Sequence, residues 1–361
     1  MNECFIYFAK LSRNRSKGAV NMSSQNAVYA TLSARPSRLQ TGLSAAFFRA
    51  FVCSFLANAK SAKLVLFVSP TETADLLLQH LHHPRLEILH LRVASGASIQ
   101  HSRYTAYLDH LRRQTSSHIV RVALVDALDI VFQKDPFDFF LADEMRGKKA
   151  NLYVTEETRD YTLGRQASNA LWVKELYGDD TLSKLSKHPV LCSGYTMGHA
   201  SPIRDYLRAM DAEVTRLKAG GQIDRLMQRA GHSMGRGFDQ GVHNALVRFG
   251  WLANSTTVRA LLLSDGPVLH GNGARNKRQF TFDGTTLWTR PTAKTGLPGA
   301  AAVPYAVAHQ FGKMRPIYLQ KQLRKVLTCR VSEGPRYCRS ALCADATWLG
   351  GSHSAWNRSY E

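Results

Sequence analysis

Short β-rich runs alternate with helical stretches through the first half of the chain, and this alternation restricts the fold more than any other feature. The runs that predict strands are residues 27–32, 63–68, 86–91 and 119–125. The segments between them carry apolar residues at helical spacing, over residues 43–60, 71–81 and 98–113. Strands that alternate with helices of this length are typical of βαβ units and a parallel sheet. The sequence therefore predicts an α/β fold with a mixed, mainly parallel sheet flanked by helices.

The second half of the chain has a less regular pattern. We expect a strand over 190–197, helices over 202–217 and 239–249, and short strands at 257–263 and 305–308. The glycine- and proline-rich span from Gly271 to Pro304 predicts a long loop. Long loops in compact domains often serve function, so we expect its part up to Gly299 to be mobile and to close over a substrate. No repeat or linker divides these elements, which favours one domain of two halves.

The charge of the chain is strongly positive, because 47 lysines and arginines stand against 27 acidic residues, a formal net charge of +20. A field of this sign attracts nucleic acid, acidic membrane surfaces or phosphorylated small molecules. The sequence carries no RNP signature, zinc finger or basic helix with interleaved aromatic residues, so nucleic acid is not the partner we expect.

Hydropathy and cysteine usage indicate where the chain resides. No run approaches the roughly 18 apolar residues of a membrane-spanning helix, and the apolar run 4–9 is too short for a secretory signal. Three of the six cysteines, Cys329, Cys338 and Cys343, lack the paired spacing of a zinc module. We therefore expect a soluble, cytoplasmic protein with reduced thiols.

Two aspartates follow the fourth predicted strand. Asp126 and Asp129 stand three residues apart, directly after a buried apolar run. Ligands of parallel sheets bind at the carboxyl ends of the strands, and carboxylate oxygens are the ligands that Mn²⁺ and Mg²⁺ prefer. The alternative is a helix N-cap or a solvated turn, since aspartate favours both.

A histidine ends the apolar run 305–308. His309 is followed by Gly312, Lys313 and Arg315. A neutral imidazole can complete a Mn²⁺ site, a glycine lets the backbone approach phosphate, and cations bind phosphate. A hydrogen-bonded histidine of purely structural role is the alternative.

Two further segments carry polar groups. Asp239 and Gln240 begin a helical stretch that contains Asn244, and an N-cap role of Asp239 is the alternative to a chemical one. Ser193 and Gly194 form a small-residue turn after the strand predicted over 190–197.

The order of these four segments resembles that of the GT-A nucleotide-diphospho-sugar glycosyltransferases. The series His309, Gly312, Arg315, Pro316 is similar to the His-x-x-Gly-x-x-Lys-Pro signature of glycosyltransferase family 8. The run from Asp126 to Phe137 resembles the Asp-x-x-Asp-x-x-Phe-Gln-x-Asp-Pro-Phe pattern of broader GT-A relatives, which also carry a later His-Gln. The likeness covers residues 27–317.

The resemblance implies a GT-A, Rossmann-like domain and a metal-dependent sugar transfer. It implies a nucleotide-sugar half (27–150) and an acceptor half (151–317). Residues 1–26 are polar and basic without a period, so we expect a disordered tail there, and we expect a basic C-terminal helix and tail over 318–361. Mn²⁺ or Mg²⁺ would be held by Asp126, Asp129 and His309. The catalytic residues would be Asp239, as base in an inverting enzyme, or Gln240, beneath the sugar in a retaining one. Donor contacts would come from Asp126, Ser193, Gly194, Asn244, Gly312, Lys313 and Arg315.

The chain also departs from family 8, and the departures leave alternatives open. Family 8 carries Asp-x-Asp rather than Asp-x-x-Asp, and Arg315 and Ile317 replace its lysine and tryptophan, so the sugar specificity does not transfer. The acceptor can be a glycan, a protein or a small molecule. The alternatives are a metal-dependent phosphohydrolase or nucleotidyltransferase, a basic nucleic-acid-binding protein, and an inactive relative that serves as a binding module.

Overall fold

A computed structural model describes the chain over residues 25–40, 42–93, 98–114, 119–147, 149–235, 237–262, 267–271, 280–282, 286–289 and 304–310. The strands are β1 (Gln25–Ser33), β2 (Ala62–Ser69), β3 (Leu86–His90), β4 (Ile119–Asp126), β5 (Ile130–Phe132), β6 (Leu152–Glu156), β7 (Leu191–His199), β8 (Val258–Leu261), β9 (Val268–His270), β10 (Phe280–Phe282), β11 (Leu287–Thr289) and β12 (Val307–His309). The helices are α1 (Pro36–Gln40), α2 (Gly42–Asn58), α3 (Thr71–His80), α4 (Ile99–Arg113), α5 (Pro136–Met145), α6 (Ala167–Tyr177), α7 (Asp179–Leu185), α8 (Ala200–Ala219), α9 (Gln222–Gly235) and α10 (Phe238–Arg248).

The main sheet has seven strands in the order β3-β2-β1-β4-β7-β6-β8. Strands β1 to β4 pair in parallel, β7 runs antiparallel to both of its neighbours, and β8 is parallel to β6. Parallel neighbours need crossover connections, and the helices between the first four strands supply them. The predicted α/β architecture with a mixed, mainly parallel sheet is confirmed.

Helices cover both faces of this sheet, which explains the nearly continuous apolar runs of its central strands. Val28 and Ala30 on β1 belong to a core that includes side chains of α2. Their neighbours Ala27 and Tyr29 belong to a second core, built with α4, α8 and α10. Successive residues of a strand point to opposite faces, so a strand buried on both sides must be apolar throughout.

A small second sheet lies beside the end of β4. Its order is β5-β12-β9, with β12 antiparallel to β5 and parallel to β9. In this register His309 is the partner of Ile130 on one side and of His270 on the other. The sequence analysis predicted no strand where β5 lies, because a three-residue strand is too short to show a period.

The bounds of the first four strands and of helices α2, α3 and α4 agree with the predicted ones to within two residues. Helices α1, α5, α6, α7 and α9 and strands β6 and β9 were not predicted. The span from Gly271 to Pro304 is not loop throughout, since β10 and β11 form an antiparallel pair within it. Most of the predicted lid, from Gly271 to Gly299, lies outside the described residues, and its closure over a substrate stays a prediction.

Both chain ends lie largely outside the described residues. These parts include residues 1–24 of the predicted basic tail, the predicted C-terminal helix and tail, and the three C-terminal cysteines. In the described part, Cys53 and Cys192 are free thiols. None of the helices described here combines the length and apolar character needed to cross a bilayer.

The structure gives Asp135 a specific stabilising role at the start of α5. Its Oδ1 accepts from the backbone N–H of Phe137 at 3.0 Å, and its Oδ2 accepts from the N–H of Ser61, next to β2, at 2.7 Å. We expect Asp135→Ala to lower the free energy of unfolding by about 1–3 kcal/mol, because two backbone donors lose their acceptor. Urea unfolding followed by circular dichroism measures this.

Asp135→Asn is the matched control for that change. Asparagine also caps helices well, so we expect it to cost clearly less than alanine. An alanine variant as stable as the parent would show that the cap contributes nothing.

Candidate metal centre

Strand β4 ends at Asp126, and β5 begins directly after Asp129. Asp126 is also the register partner of Thr31 near the end of β1. Both carboxylates therefore lie at the carboxyl edge of the central parallel strands, where α/β sheets bind their ligands. Their side chains are partly open, at 38% and 37% exposed.

Strand β12 brings His309 to these two aspartates. Its Nε2 lies 3.6 Å from Oδ2 of Asp126 and 3.4 Å from Oδ1 of Asp129. One ligand atom from each of the three residues lies within 4.8 Å of the other two. The structure thus brings together the three residues that the sequence predicted as metal ligands.

Two atoms of this group lack the partners that buried polar atoms normally have. Nε2 of His309 and Oδ1 of Asp129 are buried, and neither has a hydrogen-bond partner among the described residues. Leaving such an atom unpaired costs about 1–3 kcal/mol. A divalent cation between them would satisfy both, since imidazole nitrogen and carboxylate oxygen are suitable ligands of Mn²⁺. The residues present therefore fit a hard divalent cation.

Gly194 on β7 leaves the space that His309 and Asp126 occupy. A Cβ atom at this position would lie 2.5 Å from Cε1 of His309 and 2.6 Å from Oδ2 of Asp126. Real Cβ atoms essentially never approach so closely. The glycine that the sequence singled out after this strand is thus required by the close approach of His309 to β7.

Arg103 on α4 joins two carboxylates of the site. Its Nη1 donates to Oδ1 of Asp126 at 2.8 Å, and its Nη2 donates to Oδ2 of Asp239 at 2.5 Å. The guanidinium is only 13% exposed, and Tyr104 donates a further hydrogen bond to Asp239 at 3.0 Å. Two anionic groups in a confined space repel, so this shared cation allows both to stay charged.

Sequence reasoning missed Arg103, although a signal was present. The residue stands four positions before Tyr107, which is buried on α4. Residues at this spacing share one face of a helix. A single arginine on an otherwise buried helix face is a candidate for a specific ion pair.

Asp239 does not cap its helix. The N-cap of α10 is Gly237, no side chain caps the helix, and Asp239 lies in its first turn. Its carboxylate is instead 7% exposed and faces Arg103. The N-cap alternative is thus wrong, and Arg103 links Asp239 to Asp126 of the candidate metal group.

Gln240 is held in place by three neighbours. Its Nε2 donates to Asn169 at 3.0 Å and to Glu157 at 3.3 Å. Its Oε1 accepts from the backbone N–H of Ser193 at 3.4 Å. Gln240 and Ser193, both predicted from the sequence, are thus direct neighbours beside Gly194.

Asn244 is completely buried one helical turn further along α10. Its Oδ1 accepts from the backbone N–H of Leu191, and its Nδ2 donates to the carbonyls of Leu191 and Gln240, each at 2.8 Å. Asn244 therefore joins α10 to the start of β7. Its contact with a donor stays a prediction, as do the roles of Gly312, Lys313 and Arg315, which lie outside the described residues.

The pKa values of Asp239 and Asp126 are shifted in opposite directions by their surroundings. Burial and the negative charge of Asp126 raise the pKa of Asp239, although Arg103 opposes them. Burial also favours the neutral form of Asp126, but His309 and Arg103 hold the pKa of Asp126 well below its usual range. Burial lowers the pKa of His309, yet Cys192 and the carboxylates of Asp129 and Asp126 raise it well above its ordinary value. Asp126 is thus anionic at neutral pH, and Asp239 is the readier proton acceptor.

Comparisons with protein-family models and with curated proteins give no match to this chain. The arrangement of the side chains is therefore what supports a function.

Gly194 offers a direct test of the metal centre. We expect Gly194→Ala to weaken Mn²⁺ binding by about 10–100-fold, because the added methyl group displaces His309 or Asp126 from the positions they share. Electron paramagnetic resonance of free Mn²⁺ measures the affinity.

The control is Gly220→Ala at the end of α8. There the added methyl group meets the flexible end of Gln222, so Mn²⁺ affinity should be unchanged. Parental Mn²⁺ affinity in a folded Gly194→Ala protein would contradict the role given to this glycine.

Proposed function

We propose that the protein is a metal-dependent glycosyltransferase that moves a sugar from a nucleotide-diphospho-sugar to an acceptor hydroxyl. The supporting observation is the group formed by Asp126, Asp129 and His309 at the carboxyl edge of the sheet, with two buried ligand atoms left without hydrogen bonds. The motif order that resembles GT-A enzymes favours sugar transfer among the reactions that use such a centre.

The three ligands would hold Mn²⁺ or Mg²⁺ against the diphosphate of the donor. A cation held there would supply positive charge that stabilises the leaving nucleoside diphosphate. Arg103 would keep Asp126 and Asp239 aligned and in their charged forms. Ser193, Gly194 and the basic residues after His309 are proposed to contact the donor.

Asp239 is the proposed base for the acceptor hydroxyl. Its buried carboxylate accepts a hydrogen bond from Arg103, which also donates to Asp126 of the proposed metal ligands. Its raised pKa suits a group that takes up a proton during the reaction. If the sugar instead keeps its configuration, the amide of Gln240 is the group proposed to lie beneath the ring. Its three hydrogen bonds would hold that amide in one orientation.

The proposal also covers the charge of the donor, the class of acceptor and the cellular location of the reaction. The net charge of +20 favours a phosphorylated donor over a neutral one. A glycan, a protein or a small molecule would be the acceptor, and we place the reaction in the cytoplasm.

A Mn²⁺-dependent donor screen tests the proposal. A ligand that binds only the folded state raises the melting temperature, so nucleotide-sugars that bind are identified by thermal shift. Turnover is then measured as release of the nucleoside diphosphate with and without added acceptors. Release that needs no acceptor would favour a phosphohydrolase, and salt-sensitive binding of nucleic acid without donor binding would favour the nucleic-acid alternative.

Replacing any one of the three proposed metal ligands should reduce the affinity for Mn²⁺. Asp126→Ala, Asp129→Ala and His309→Ala should each weaken Mn²⁺ binding by about 100-fold or more, since loss of even a supporting residue costs 10–100-fold. Asp109→Asn on α4, half exposed and outside the site, is the matched control and should bind as the parent does. Equal Mn²⁺ affinity in parent and ligand variants would remove the basis of the proposal.

Asp239→Asn separates chemistry from binding. We expect it to lower kcat by about 100-fold or more, on the scale of general-base contributions, because the amide cannot take a proton. Mn²⁺ and donor affinity should change little, since the three metal ligands are untouched. An Asp239→Asn enzyme that folds, binds donor and turns over at the parental rate would exclude a catalytic role.

A further inference from the structure

The second ring nitrogen of His309, Nδ1, faces a buried group of sulfur and nitrogen donor atoms. Nδ1 of His309 lies 3.5 Å from Sγ of Cys192 and 2.9 Å from Nδ1 of His270. His270 in turn contacts Oγ1 of Thr155 through its Nε2, at 2.8 Å. All four side chains are buried, none of them more than 2% exposed. The two nitrogens of His309 thus face two chemically different donor groups.

The backbone holds these donors in place as two pairs of strand neighbours. His270 and His309 are register partners on β9 and β12, while Thr155 and Cys192 are register partners on β6 and β7. Ligands carried on paired strands are better positioned than ligands on loops. The group is therefore held together by the fold as well as by its own hydrogen bonds.

The donor types and their spacing suit a thiophilic cation. One ligand atom from each of Cys192, His270 and His309 lies within 4.8 Å of the others. In a tetrahedral Zn²⁺ site, with Zn–S near 2.3 Å and Zn–N near 2.0–2.1 Å, sulfur and nitrogen ligands are roughly 3.5 Å apart and two nitrogens roughly 3.3 Å. The Cys192–His309 separation already fits, and the two imidazoles would have to part by about 0.4 Å.

The outer contacts of both histidines also match a zinc site. Histidines that ligate zinc commonly donate their other N–H to a carboxylate or a similar acceptor, which fixes the ring. His270 turns its Nε2 to the hydroxyl of Thr155, leaving Nδ1 for a ligand. Nε2 of His309 faces acceptors of this type, at 3.6 Å from Asp126 and 3.4 Å from Asp129 and without a hydrogen bond to either, and its Nδ1 lies on the inner side.

We propose that Cys192, His270 and His309 form a second, inner metal site for a thiophilic divalent cation of the Zn²⁺ type. The cation replaces the thiol proton of Cys192, which passes to solvent. The proton between the two imidazoles moves to Nε2 of His309, which faces Asp126 and Asp129, so both imidazoles stay neutral. A neutral imidazole has one lone pair, so His309 serves the inner cation through Nδ1 or the outer one through Nε2. Zn²⁺ at the inner site therefore excludes Mn²⁺ from full coordination at the outer site.

The competing interpretation is a hydrogen-bonded cluster that binds no metal, with Cys192 as a small apolar core residue. Co²⁺ distinguishes the two, because Co²⁺ takes zinc sites and a cobalt–thiolate bond gives a charge-transfer band in the near ultraviolet. The protein tested is the full chain with Cys4, Cys53, Cys329, Cys338 and Cys343 replaced by serine, so that Cys192 is its only thiol.

We expect one equivalent of Co²⁺ to produce the thiolate band in this protein and one equivalent of Zn²⁺ to remove it. Adding Cys192→Ser or His270→Asn should abolish the band. His243→Asn, which alters another buried histidine outside the group, should keep it. A folded single-thiol protein without the band, or a band that survives His270→Asn, overturns the inner site.

Two further measurements keep the test decisive. If the single-thiol protein does not fold, the unaltered chain and its Cys192→Ser and His270→Asn variants are titrated instead. Each variant should then bind one cobalt–thiolate equivalent fewer, and unchanged stoichiometry overturns the proposal.

The exclusion of Mn²⁺ from the outer site by Zn²⁺ at the inner site is tested by electron paramagnetic resonance of Mn²⁺ with and without one equivalent of Zn²⁺. This test rests on the proposed outer site. Mn²⁺ bound equally in both conditions refutes the exclusion, while a parent that never binds Mn²⁺ refutes the proposed function and leaves the cobalt result standing.

Discussion

The pairing of β12 with β5 and β9 is the interaction on which the candidate site depends. His309 comes from a distant part of the chain, and only its register opposite Ile130 sets it beside Asp129. The same pairing sets His309 opposite His270 on the other side. Gly194 then leaves the room that the ring needs against β7. One short strand thus determines the positions of both nitrogens of the imidazole.

Charge balance is the second constraint on the site. Asp126 and Asp239 approach the same region from different elements, and Arg103 contacts both. Removing a guanidinium that is almost fully buried would leave two carboxylates without their shared cation, which costs several kcal/mol in comparable buried pairs. The arginine therefore contributes to the fold and to the site at once, and neither contribution can be changed alone.

The elements predicted correctly are those with long, unambiguous patterns. β1 to β4 are apolar throughout because helices cover both faces of the sheet, and that pattern is visible without a structure. Strands β5, β9 and β12 have three residues each, so their pairing leaves no periodic trace. Asp126, Asp129 and His309 were recognised from residue type and order, whereas Arg103 was missed because its partner Asp239 lies far away in the sequence.

The sequence by itself determined the fold class, the edge of the sheet where the candidate site lies, and the identity of three residues suited to a divalent cation. Those features depend on local patterns and on residue chemistry, which a linear chain carries in full. The tertiary structure alone decided that Asp239 pairs with Arg103 instead of capping its helix, and that Asn244 supports β7. It alone placed Cys192 and His270 behind His309. These outcomes depend on contacts between distant strands and helices, whose distances no local pattern of residues encodes.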